Sequence, residues 1–98
     1  MRHDLGMRAS LHFVDKAAAL KELCRCDSSF RNDVRAGTAP KWLPIGPRRA
    51  GLLRAELDAL IAARAGGLSV EQQRAVVAEL LEHRRALGQA VADAGSAS

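Results

Sequence analysis

The 98-residue sequence predicts a mainly α-helical fold broken by one small β-hairpin and extended by an extra C-terminal helix. Three observations predict it. Apolar residues recur at helical spacing over four separate stretches. All three prolines fall within residues 40–47, where they forbid regular helix. Capping residues and glycines bracket the helical stretches. The length suits one domain with one modest core. Apolar residues make up 48% of the chain, but the aromatics are only Phe13, Phe30 and Trp42. Such a thin core invites completion by a ligand or by self-association.

In chain order, residues 1–11 show no period and are expected to form a flexible arm. Asp15 is suited to cap a first helix over "KAAALKELC", with Ala17, Leu20, Leu23 and Cys24 inward. In "CDSSFRNDVRAG", Asp27 or Ser28 is the expected cap of a second helix and Gly37 its left-handed stop. Phe30 and Val34, four apart, form its buried side, so their truncation is expected to unfold the domain. Ser28, Ser29, Arg31, Asn32 and Arg35 occupy its remaining faces.

Next, "KWLPIG" and "RRAGLL" read as two short extended pieces joined at Gly46-Pro47. A strand containing proline belongs at a sheet edge, so the hairpin is expected to project. "AELDALIAARAGG" predicts a third helix with Leu57, Leu60 and Ile61 inward. "SVEQ", Ser69 to Gln72, matches a capping box opening a fourth. The stripe of that helix is Val76, Val77, Leu80, Leu81, Leu87 and Val91, interrupted by Arg84. It can fold back on its own core or pair with another protomer. The expected organisation is an arm (1–11), a compact domain (12–67), the C-terminal helix (68–93) and a disordered tail (94–98).

Charge is unevenly spread. Residues 1–50 carry ten Lys/Arg against five Asp/Glu, a net +5; residues 51–98 carry five against six, a net −1. A basic first half suits a polyanionic partner. No apolar run approaches the roughly 18 residues of a membrane span, and no signal-peptide pattern is visible. Cys24 and Cys26, one residue apart, are poorly spaced for a mutual disulfide and have no second pair to complete a zinc site. Reduced thiols in a cytoplasmic protein are expected. His3, His12 and His83 share no metal-binding spacing, and neither a phosphate loop nor a nucleophile–base pair is present. The sequence therefore points away from an enzyme and implies no cofactor.

Helix, tight turn, polar helix, stiff basic hairpin, helix is the order of a winged helix-turn-helix. A major groove admits one α-helix, and the second helix of such a pair presents side chains to base edges. Arg31 and Arg35 can bridge guanine O6 and N7, and Asn32 can bridge adenine N6 and N7. Ser28 and Ser29 can hold a phosphate with the backbone N–H groups of the first turn. Lys41, Arg48 and Arg49, on the hairpin, can reach phosphates or a minor groove.

From Phe13 to Arg64 the chain resembles AlpA-type regulators and small phage-like excisionases, which carry MerR-like winged-helix domains. "DSSFRNDVRAG" resembles the family's serine-rich recognition helix and closing glycine. "APKWLPIGPRRAGLLRAELDALIAAR" resembles its aromatic-Pro-Lys, Gly-Pro-Arg wing tip and following helix. Four features depart from the pattern. "CRC" stands where the turn normally holds glycine, Ala39 precedes Pro40 in place of an aromatic, Leu52 or Leu53 stands where an aromatic is expected after the wing, and Leu60 takes a usual tryptophan position. Trp42 is expected to pack where the missing aromatic would have gone. The resemblance implies a non-catalytic double-stranded DNA-binding protein of a mobile element. It would bind repeated sites, bend the DNA, favour excision by a tyrosine recombinase (integrase), or regulate transcription, with self-association on DNA. The alternative is a helical protein-binding adaptor or antitoxin-like module.

Overall fold

The computed structural model describes residues 12–97; the expected N-terminal arm and Ser98 lie outside the described residues. Three strands and four helices follow one another: β1 (Phe13–Asp15), α1 (Lys16–Leu23), α2 (Asp27–Ala36), β2 (Leu43–Gly46), β3 (Arg49–Leu53), α3 (Arg54–Ala65) and α4 (Val70–Ala97). The chain is thus mainly helical, with a small antiparallel sheet of order β1-β3-β2.

Asp15 caps α1 as its residue type demands, accepting the Ala18 N–H at 3.0 Å. The helix buries Ala19 and leans Leu20 and Leu23 on the core. Ala17 and Cys24, expected inward, are exposed. The helix stops one residue early, because Cys24 takes the left-handed cap conformation (φ 54°) usually left to glycine. The Arg25 N–H then reaches back to the Leu20 carbonyl at 3.0 Å. This places Cys26, rather than Asp27 or Ser28, at the N-cap of α2, and Asp27 becomes its first helical residue. Gly37 (φ 82°) ends α2 as expected.

The hairpin differs from expectation in one respect. β2, which holds Pro44, is an edge strand, as a missing donor requires. β3, however, is central: β1 pairs along its other side, with Phe13 opposite Leu53 and Asp15 opposite Gly51. Gly51 makes this possible, since a Cβ there would stand 2.2 Å from the Val14 carbonyl oxygen. Only glycine lets the two backbones close. Pro47 and Arg48 form the hairpin tip, with Arg48 at φ 66°.

Phe30, Leu52, Leu57, Leu60, Ala19, Ala39 and Val77 form the buried core. Trp42 stacks on Phe30, ring centroids 4.3 Å apart, and so fastens the root of the hairpin to α2. Ser69 and Gln72 form the expected capping box, with bonds of 2.9 and 3.1 Å. α4 folds back over α3 through Val77 and Leu80. The Arg74 Nε also donates to the Ala36 carbonyl at 2.8 Å, closing the C-terminus of α2.

Arg84 does not interrupt a seam. It reaches buried Glu56, donating from Nε (2.5 Å) and Nη2 (2.9 Å). α4 continues to Ala97, past residue 93 and into the segment expected to be a disordered tail. Ala90, Ala92 and Ala94 offer good helix propensity and no proline stops them. No described helix is long and apolar enough to cross a membrane.

Candidate nucleic-acid interface

Successive residues of a helix are turned by 100°, so Ser28, Arg31, Asn32 and Arg35 fall within about a third of the α2 circumference. Phe30, fully buried, holds the opposite side against the core. The four polar residues are exposed. The direction of this face is set by two arginines gripping Asp33 behind it. Arg25, in the turn before α2, donates to both Asp33 oxygens (3.0 and 2.8 Å), and Arg64 of α3 adds a contact at 3.3 Å. α2 is therefore clamped from two neighbouring segments.

One hairpin arginine, Arg49, joins the same surface through short links. Arg49 Nη2 lies 3.3 Å from Asp15 Oδ2. Asp15 precedes Lys16, whose Nζ lies 2.9 Å from Asp27 Oδ1. The other oxygen of Asp27 accepts from Arg31 Nη2 at 2.7 Å. The Lys16 ammonium also stands 5.7 Å from the Trp42 ring centroid, within cation–π reach. One run of alternating charges thus leads from the hairpin, across the start of α1, to the exposed face of α2.

The expected site residues divide into three groups. Asn32, Arg35, Lys41 and Arg48 are exposed, and their side chains make no hydrogen bond or ion pair among the described residues. Arg31 and Arg49 are exposed but held by carboxylates. Ser28 and Ser29 are engaged with the Cys26 sulfur, at 3.4 and 3.1 Å. The serines therefore serve the turn rather than standing free for a phosphate, and the Asp27 carboxylate beside them opposes an anion there.

Two groups at the start of α2 titrate unusually. Lys16 first, and then Arg31, hold Asp27 below the ordinary carboxylate range. The Ser28 hydroxyl, then that of Ser29, with backbone N–H groups of the same turn, bring the Cys26 thiol down to about 6. The lowered pKa favours the thiolate form of Cys26, at the N-cap of α2.

Asp15, Lys16, Asp27 and Asp33 were not singled out as site residues from sequence. Lys16 and Asp27 lie eleven positions apart, and no local pattern joins them. The only available signal was the acidic residue opening a polar helix that presents Arg31 and Arg35. Among the described residues, no group of three or more His, Cys, Asp or Glu side chains is placed to hold a metal. Comparison with protein families, characterised proteins and solved structures returns no match in any of the three.

Proposed function

We propose that the chain is a winged helix-turn-helix protein that binds double-stranded DNA, with α2 in the major groove and the β2–β3 hairpin as its wing. The observation that carries this reading is one continuous surface. It joins the α2 face of Ser28, Arg31, Asn32 and Arg35 to Arg49 through Asp15, Lys16 and Asp27, with exposed Arg48 next to Arg49 at the hairpin tip. A groove-reading helix needs side chains that can meet base edges, and it needs cations beside it for the phosphates. Both sets stand on rigid elements here, because Trp42 and Asp33 fasten the hairpin and α2. Little ordering entropy is then lost on binding.

The resemblance to AlpA-type regulators and small excisionases narrows the role. The chain would act on a mobile element in the nucleoid. There it would either favour excision by a tyrosine recombinase or regulate a promoter. The exposed far end of α4, where Val91 is 73% exposed, is the feature that serves the adaptor alternative.

Titration with duplex DNA at two salt concentrations tests the reading. Affinity should fall with a log–log slope of about −0.9 for each phosphate neutralised. Arg48→Ala with Arg49→Ala should flatten that slope for cognate and random duplexes alike. A folded chain that binds no duplex at low salt would leave the adaptor reading. Footprinting then separates the two roles. Phased repeats beside a recombinase core indicate excision, and protection limited to a promoter indicates transcriptional control.

A further inference from the structure

Two cations of this surface contact the same carboxylate. Asp27 gives one oxygen to Lys16 and the other to Arg31. All three side chains are well exposed, at 44%, 42% and 63% respectively, so the pairs add little to the fold. Their position matters more. Asp27 opens α2, where the helix N-terminus would otherwise attract phosphate, and it places a negative charge on the approach path of DNA.

We propose that Asp27 is a specificity-determining residue that occupies Lys16 and Arg31 until a correct base sequence displaces it. This rests on the DNA-binding reading above. A random duplex offers those two cations only phosphate, at the cost of bringing that phosphate up to Asp27. A cognate duplex offers Arg31 a base edge with two acceptors in fixed geometry, which a carboxylate exchange can match. The carboxylate therefore weakens wrong complexes more than right ones, the repulsive half of a specificity device. Asp15 holds Arg49 by a longer contact of 3.3 Å and plays the lesser part.

Asp27→Asn tests this, since it keeps the shape and removes the charge. Glu82→Gln serves as the control. It makes the same change in net charge on α4, where Glu82 pairs, among the described residues, only with Arg85. Affinity for a selected duplex and for its scrambled counterpart would be measured for both variants and the parent, with circular dichroism to establish folding. Asp27→Asn should bind scrambled duplex about three- to tenfold more tightly, with a salt slope steeper by roughly one phosphate. Selected duplex should change less than twofold, so discrimination falls. Glu82→Gln should leave the ratio where it was. Equal tightening on both duplexes, or the same gain from Glu82→Gln, would reduce Asp27 to a general charge and overturn the proposal. So would weaker binding by a folded Asp27→Asn protein. A folded parent that binds neither duplex would instead overturn the DNA-binding reading itself.

Discussion

Glu56–Arg84 and Lys16–Asp27–Arg31 use the same chemistry in two regions, and burial separates what they do. Glu56 is 1% exposed and Arg84 11%. The Glu56 carboxylate also accepts the Leu53 N–H at 3.1 Å, at the junction of β3 and α3. α4 is thereby tied, through one carboxylate, to the root of the hairpin. Asp27 and its partners are bathed in water, where an ion pair is worth little and exchanges readily. A buried pair cannot exchange, because each charge would lose its partner with no water to replace it. The interior pair is suited to holding a shape, and the exposed one to being displaced by a ligand.

The largest effect should come from the buried pair. Arg84→Ala leaves the Glu56 charge uncompensated, a loss of about 3–5 kcal/mol for breaking such a pair, read by urea denaturation. Arg84→Met combined with Glu56→Gln should regain more than half of that loss. The Arg84 Nη1 is buried without a partner, so the native pair already carries a desolvation cost that the double variant removes. If Arg84→Ala costs under about 1 kcal/mol, the two regions belong to one class and the contrast fails.

A smaller but still marked loss is expected from Gly51→Ala. Its Cβ would press on the Val14 carbonyl oxygen, forcing β1 from β3 at a cost of about 2 kcal/mol. Asp15 is the β1 residue opposite Gly51. The change should therefore free Arg49 as well, connecting the surface network to the sheet. Unchanged stability and unchanged amide protection in Val14–Asp15 would show that this register is not what positions Asp15.

The smallest stability effect belongs to Cys26, where reactivity is the better readout. Alkylation by iodoacetamide should show a component with a midpoint near pH 6, absent from Cys26→Ser. The linkage sign is that of a depressed group. The thiolate contribution is complete above the ordinary thiol range and is lost as pH falls through about 6. A single midpoint near 9.0, the ordinary thiol value, would mean that the hydroxyls of Ser28 and Ser29 do not act on the sulfur.

The departures from the expected site follow from range. Arg35 and Asn32 could be placed outward from residue type and helical spacing, and Arg48 from its position at the proline-bounded hairpin tip. The cap expected at Asp27 or Ser28 moved to Cys26, which is why the Ser28 and Ser29 hydroxyls meet its sulfur. That shift began with Cys24 adopting a left-handed turn that its own preference disfavours. Tertiary packing outweighed propensity there. β1 escaped notice because three residues are too few to show a period, although Gly51 inside an apolar strand marked a close backbone approach.

The sequence alone determined the elements whose signals lie within a few residues. Asp15 caps α1, Gly37 ends α2, Pro44 keeps β2 at an edge, and Ser69 with Gln72 opens α4. Each is a contest between adjacent backbone groups, settled by residue type. Only the tertiary structure decided that Trp42 would stack on Phe30, that Arg84 would cross 28 positions to Glu56, and that Asp27 would hold Lys16. Those pairings have no local period to announce them. They exist because burying one apolar core brings distant polar groups together, and each charge must then find a partner or remain in water.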